Sequence, residues 1–445
     1  NFNENHTFYV RFLNDTASKT SGFNTVTQSL LETANNYWTV ELKSVLSPNF
    51  LHTIRYSFVR NLVQDEEDLQ VDISPDLYFL PHTGKLGSMW IGPGSSGGLG
   101  SYLVWPGPSD GRPRNEIQNL FQFNYNAAYT KGRHSIKFGM ENRRVQNNLV
   151  FVVRWGGRYR FSNLAAFLLG NPREVTGTTV TSDFQRGWRN TLWGFYVQDD
   201  FRILPGLTLN LGIRYSPHDV PKEHQGKLSN LRDIFNDTDF TMGNPIFENP
   251  SLKNWAPRIG LAWDPFGNGT TSVRGGVGVF YHLLDIGQSF LQGTISQPPV
   301  DRFLLNTRNS PGGVPFPLIP VDKPFPAGAR GAFPKPFDNI DTPQMIKWNL
   351  DLQSELTPGT VISVGYVGSK GEHLWADRQL NNCGLEKFEG RRFFRGNCNP
   401  LRNPNFASIQ VRNNPSSSSY HAMIVKLSRR FRGGFGLHAN YTWSK

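Results

Sequence analysis

The chain has 445 residues, with 46 Lys and Arg against 35 Asp and Glu for a net charge of +11, yet only 18% are charged and 38% hydrophobic. Soluble globular chains carry about 25% charged and 45–50% apolar residues; here 44 Gly, 30 Pro, 13% aromatics and many uncharged polar residues fill the gap. The small net charge and abundant aromatics exclude charge-driven disorder, and without a run of 18 apolar residues a helical membrane protein is excluded too.

No charged stretch followed by an apolar one opens the chain, so no secretory leader is read there. The sequence starts at Asn1 without Met and stops at Lys445 inside a strand-like run. It is expected to be an internal piece of a longer protein.

Helical periodicity is almost absent, whereas period-2 alternation recurs along the whole length. A leading strand covers Thr7 to Leu13, and six hairpins follow. In the first, Trp38, Val40 and Leu42 alternate with Thr39, Glu41 and Lys43; Ser47-Pro48-Asn49 turns the chain into Ile54, Tyr56 and Phe58. Phe121 to Ala127 returns through Lys131-Gly132-Arg133 as Ile136, Phe138 and Met140. Trp193, Phe195, Val197, Phe201 and Ile203 share one face, and after Leu204-Pro205-Gly206 so do Leu209, Leu211, Ile213 and Tyr215. Ile259, Leu261 and Trp263 return near 265–270 as Val273, Val277, Val279 and Tyr281. Trp348, Leu350 and Leu352 return at Thr357-Pro358-Gly359 as Ile362, Val364 and Tyr366. Met423, Val425 and Leu427 return near 432–434 as Leu437, Ala439, Tyr441 and Trp443. Each hairpin has one apolar and one polar face, the signature of a half-buried antiparallel sheet.

The connections between hairpins run over 61–116, 147–190, 217–255, 283–344 and 369–419, rich in Pro, Gly, Asn and Ser. Structureless loops that long argue against a compact soluble domain. A propeller or sandwich also alternates, but its strands are shorter and each apolar stripe needs a covering layer. Short turns at one end and long loops at the other fit a transmembrane barrel, as do strands of about 9–12 residues. Aromatics at strand ends (Tyr37, Trp38, Tyr129, Trp193, Trp263, Tyr281, Tyr366, Tyr441, Trp443) suit interfacial girdles. The reading is all-β: an antiparallel up-and-down transmembrane barrel, with about 13 strands of a wall that stays open within this piece. Trp193, Phe195, Leu209, Leu211, Trp348, Leu350, Val425 and Leu437 are expected on its uncovered outer face.

The segment FYVQDDFRILPGLTLNLGIRY (195–215) resembles the barrel of TonB-dependent outer-membrane transporters, in particular the Oar-like group with a carboxypeptidase-regulatory-like extension. APRIGLAWDPFGNGTTSVRGGVGVFY (256–281), WNLDLQSELTPGTVISVGYVGSKGEHL (348–374) and YHAMIVKLSRRFRGGFGLHANYTWSK (420–445) extend the likeness. So do GRHSIKFGMENRR (132–144) and NLAAFLLGNP (163–172). The resemblance implies a barrel of about 22 strands in the outer membrane of a Gram-negative-type bacterium. It implies a plug, a signal peptide, a box that contacts the periplasmic energy-transducing protein TonB, and closing strands, all outside residues 1–445. Energised import of a siderophore, glycan, peptide or protein would follow; a passive porin or surface adhesin is the alternative.

The polar faces place Glu41, Lys43, Arg55, Lys137, Glu141, Asp200, Arg202, Arg214, Arg258, Arg274, Asp351, Glu355, Lys426 and Arg430 toward the lumen. Cross-strand ion pairs that fix the wall are the first reading, ligand contact the second. Asp199 interrupts its apolar face close to a turn, which points to a rim position or a bulge.

Cys383 and Cys398 are the only cysteines and lie in one loop. One disulfide formed in an oxidising compartment is expected, two unrelated thiols being the alternative; closing about 14 residues is worth roughly 3 kcal/mol in chain-entropy terms. Between them stand Arg391, Arg392 and Arg395, in a region (369–445) that holds 13 basic and four acidic residues. A solvated loop, or a surface for an acidic ligand or lipopolysaccharide phosphate, is open to it. Asp65, Glu66, Glu67 and Asp68, with Asp72 and Asp76, read as a solvated acidic loop without EF-hand spacing. Gly92 to Gly97 spells GxGxxG, but Pro93 and the lack of a following helix reject a dinucleotide site. With no nucleophile, metal or cofactor motif and no basic helix, neither an enzyme nor a nucleic-acid binder is read.

Overall fold

The computed structural model describes all residues except 1–2, 23–25, 93–102, 105–110, 246, 284–296, 308–312, 315, 317–329, 332–334, 339, 382–384, 389–390, 395–400 and 407. Thirteen long strands form one antiparallel ladder in chain order. They are β1 (His6–Gly22), β2 (Thr27–Ser47), β3 (Phe50–Leu69), β4 (Arg114–Lys131) and β5 (His134–Phe151). Then come β6 (Gln185–Leu204), β7 (Leu207–Tyr215), β8 (Trp255–Trp263) and β9 (Thr271–Tyr281). Last are β10 (Gln344–Thr357), β11 (Thr360–Gln379), β12 (Gln410–Arg432) and β13 (Phe435–Ser444). Consecutive strands are always neighbours, and β1 and β13 stand at opposite, unpaired ends. The all-β, up-and-down architecture is the one the alternation dictates.

Register fixes the faces, because side chains alternate strictly. Leu42, Ile54, Tyr125, Met140, Phe195, Tyr215 and Trp255 form one cross-strand row on the outer face. Lower down, Leu209, Leu261, Gly275, Leu350, Tyr366, Met423 and Trp443 form another. Of the residues expected there, Trp193, Phe195, Leu211, Leu350 and Leu437 are exposed. Leu209, Trp348 and Val425 are half-covered by neighbours, and none is buried under a second layer. Trp348 owes its cover to Gly368, its partner on β11, whose missing side chain lets the indole lie flat on the backbone.

The turns at one end are tight, with Gly132 (φ 58°) and Gly359 (φ 83°) supplying left-handed backbone that other residues rarely adopt. At the other end several strands outrun a bilayer, for which about 9–11 tilted residues suffice. β2, β3, β11 and β12 have 20 to 23. Consequently Asp65, Glu66, Glu67 and Asp68 belong to β3 and not to a loop. Asp65 is held by Arg112 Nε at 2.5 Å and Ser29 Oγ at 3.0 Å. Asp72 and Asp76 alone follow the strand. The polar residues of β2 from Thr27 to Asn35 supply the ladder partners that a hydropathy reading overlooks.

The long connections are also less structureless than their composition suggests. Three of them contribute strands to a second sheet, ordered Arg330–Gly331, Arg302–Asn306, Glu174–Thr178, Arg158–Phe161, Ser88–Ile91, Leu103–Val104. It covers a core of its own: Phe79, Leu80, Tyr159, Phe161, Val175, Phe303 and Leu305 are each at most 5% exposed. Tyr159 meets Phe79 and Phe316 edge-on at centroid distances of 4.8 and 5.0 Å. This cap is held together by water exclusion, unlike the wall, whose outer face needs lipid.

Phe303→Ala should therefore cost the cap about 3–5 kcal/mol, as large-to-small changes in packed cores do, and leave the wall intact. Hydrogen exchange of the full-length protein in detergent should show faster exchange in 79–91, 158–178 and 302–306, with β4 to β7 unchanged.

Candidate functional site

The inner face of the ladder and the long connections at one end of it are the two places where polar groups converge. On the inner face from β2 to β7 several charges pair across strands, while Lys43 and Arg202 have no ion pair among the described residues. Arg55 Nε donates to Glu41 Oε2 at 2.6 Å, and Lys137 Nζ lies 3.2 Å from Asp200 Oδ2. Arg214 Nη2 reaches Glu141 Oε2 at 3.0 Å, and Arg143 approaches the other oxygen of the same carboxylate. Asn210 and Gln198 also donate to Asp200, at 2.6 and 3.1 Å. Arg214 crosses to Glu141 over Gly194, where a Cβ would collide with its guanidinium.

From β8 to β13 the pattern changes. Arg258, Arg274, Lys347, Lys426 and Arg430 make no ion pair among the described residues. Asp351 stands opposite Arg274 but accepts from Ser363 Oγ at 2.8 Å. Glu355 accepts from the backbone N–H of Gly359 in the turn. Arg202 is exposed beside the bulge that ends β6, and Arg430 lies at the β12 turn. The inner face thus has its cross-strand ion pairs concentrated between β2 and β7, while β8 to β12 carry five cations without one among the described residues. Phe280 and Lys347 escaped sequence reasoning; their signal is that both occupy polar-phase positions of their strands.

Asp199 falls on the outer face at the rim. Its Oδ2 is 2.6 Å from His134 Nδ1, and Phe201 stacks on that imidazole at 4.4 Å. The bulge lies further on, between Arg202 and Leu204.

Among the long connections, buried polar side chains knit distant segments. Glu223, 1% exposed, accepts from the N–H groups of Gly187, Gln225 and Lys227 at 2.7–2.8 Å. Asn403 Nδ2 donates to the carbonyls of Ile234 and Asp237, more than 160 residues away in sequence. Arg412 grips Asp377 with two bonds of 2.8 and 3.0 Å. His218, 2% exposed, donates its backbone N–H to Ser251 Oγ at 2.9 Å, while its own carbonyl accepts from Ser251 Oγ and Asn249 Nδ2. Burial pushes the His218 imidazole below its ordinary pKa, against the opposing pull of the Asp219 carbonyl and carboxylate.

Of the loop residues singled out in the sequence, Arg391 and Arg392 lie on Arg391–Phe394, which pairs with Leu385–Phe388 in a small hairpin. Their partners in register are Phe388 and Lys387. Cys383, Cys398 and Arg395 lie outside the described residues.

Across residues 1–445 the sequence matches the family described as outer membrane beta barrel domain. It is 24% identical over 284 residues to the TonB-dependent transporter Oar of Myxococcus xanthus, covering 58% of this chain and 23% of that protein. Among solved structures, the outer membrane transporter YddB from Escherichia coli aligns with a TM-score of 0.55 at 10% identity, over 100% of this chain and 46% of that one. The siderophore receptor PirA from Acinetobacter baumannii aligns at 0.46 and 9% identity, over 98% of this chain and 53% of that one. The chain therefore spans about a quarter of the curated relative and under half of the solved transporter.

Two outcomes follow from this geometry. Gly194→Ala should displace Arg214 and cost about 1 kcal/mol, the scale of a partly solvated charged hydrogen bond. Urea unfolding from vesicles measures it, and Glu141→Gln should abolish the difference. Among the connections, a His whose folded pKa is depressed binds its proton more readily in the opened loop. The 216–254 connection should therefore be tightest above about pH 6.5, the ordinary imidazole value, and loosen as pH falls below it. Limited proteolysis at pH 5 and 7.5 reads this, and His218→Asn should flatten the pH dependence.

Proposed function

This chain belongs to the outer membrane beta barrel domain family, and on that premise we propose that it is the wall of a TonB-dependent importer. The observation that carries the proposal is the folded cap: three of the long connections at one end of the ladder spend their apolar residues on a shared core. A folded surface of that kind suits capture of a ligand outside the membrane. Its resemblance to TonB-dependent transporters, and the name of its relative from Myxococcus xanthus, point the same way.

The chain resides in the outer membrane, its apolar rows against lipid and lipopolysaccharide and its polar rows around the lumen. The mechanism divides between these parts. The ladder is a rigid sleeve, since every backbone group facing hydrocarbon must be paired. The cap and the connections 217–255, 283–344 and 369–419 capture the ligand, a siderophore, glycan, peptide or protein. The basic hairpin around Arg391 and Arg392 and the proposed Cys383–Cys398 bridge belong to this capturing surface. Passage would be gated by a plug, an element that the resemblance implies outside residues 1–445, pulled by TonB from the periplasm. The chemistry asked of the wall is binding and release, with no bond made or broken.

The test uses the full-length protein in cells with and without TonB, supplied with labelled siderophores, oligosaccharides and peptides. Uptake of one ligand class that stops on deleting TonB or collapsing the proton-motive force is the expected result. Uptake that persists without TonB would make the protein a passive porin, and surface binding with no entry would make it an adhesin; either overturns the proposal.

A further inference from the structure

The inner face around β7 to β10 contains a trough of about 430 Å³ that no charge pair explains. Its floor is backbone. In register across β7, β8, β9 and β10 run Gly212, Arg258, Gly278 and Lys347, and one row below run Asn210, Gly260, Gly276 and Asn349. Glycine at four of these eight positions lowers the wall by a side-chain layer. Arg258 and Lys347 rise on either side of Gly278, two strand spacings or roughly 10 Å apart at the backbone.

Both cations lean toward one ring. Phe280 is the aromatic of β9 that points inward, and Arg258 Cζ lies 4.5 Å and Lys347 Nζ 5.7 Å from its centroid. Two like charges converging on one ring repel each other, and the ring's attraction, of order 1 kcal/mol at accessible sites, offsets this only in part. Neither has a carboxylate partner among the described residues. The carboxylates that border the trough in register are engaged elsewhere: Asp200 by Lys137, Gln198 and Asn210, and Asp351 by Ser363. What completes the arrangement is an oxyanion between the guanidinium and the ammonium, where two charge-assisted bonds are available to it.

The geometry points to an anion-binding station on the inner wall: Arg258 and Lys347, oriented by Phe280 over a glycine floor, take a carboxylate- or phosphate-bearing solute of small-molecule size. Phe280 is a positioning residue; the two cations make the contact. The inference rests on the outer-membrane wall described above but not on coupling to TonB.

The experiment is isothermal titration of the full-length protein in detergent with citrate and, separately, inorganic phosphate, at low and high salt. Saturable binding is expected. It should weaken at least about tenfold in Arg258→Gln/Lys347→Gln, the equivalent of one charge-assisted bond, and less in Phe280→Leu, which keeps both charges. Unchanged binding in the double variant overturns the proposal. So does absence of binding in the wild type combined with a lower unfolding temperature of the double variant, since the cations would then be holding an acidic side chain of another segment. Heat-modifiable electrophoretic mobility reports whether each variant keeps its barrel, and the TonB dependence of uptake is read separately.

Discussion

A backbone N–H or C=O left unpaired in hydrocarbon costs several kcal/mol, and the rest of this structure follows from that constraint. It forces consecutive strands side by side, so that each connection at one end shrinks to a turn. It makes the side-chain period two, which hands one face to lipid and the other to water. Outer rows such as Leu209, Leu261, Leu350 and Met423 and inner pairs such as Glu41–Arg55 are consequences of one ladder seen from two sides. Among the described residues the ladder ends at β1 and β13, each of which pairs on one side only.

Above the membrane the constraint relaxes and a different force takes over. Water can satisfy the backbone there, so strands such as β2 and β12 continue on polar residues, and the connections fold by burying apolar side chains together. The cap is built like a small soluble domain, with a β-layer and an aromatic core, and elsewhere among the connections buried asparagines bond to carbonyls of remote segments. The wall and cap obey opposite rules about where hydrophobic residues go, which accounts for a composition low in both charge and apolar content.

The inner face shows how little sequence phase says about pairing. Arg214 and Arg258 occupy equivalent polar-phase positions on adjacent strands, yet Arg214 reaches Glu141 while Arg258 rests on a phenyl ring. Residues that touch are often far apart in the chain: Asp65 and Arg112 are separated by 47 positions, Asp301 and Thr181 by 120. The acidic run of β3 looked like a solvated loop because its partner strand is polar as well, so no apolar stripe announced either one.

The sequence by itself determined the strand character, the order of the hairpins, the two faces and the end at which the chain turns tightly. These depend on local alternation and on Gly and Pro placement, which any short window displays. The tertiary structure alone decided how far each strand runs beyond the bilayer, that three connections join in one covering sheet, and which lumen charges are neutralised. Those outcomes depend on cross-strand register and on contacts between segments more than a hundred residues apart, where one position of slip would exchange partner for stranger. Period two tells a side chain which way to face; only the assembled ladder tells it what it will meet there.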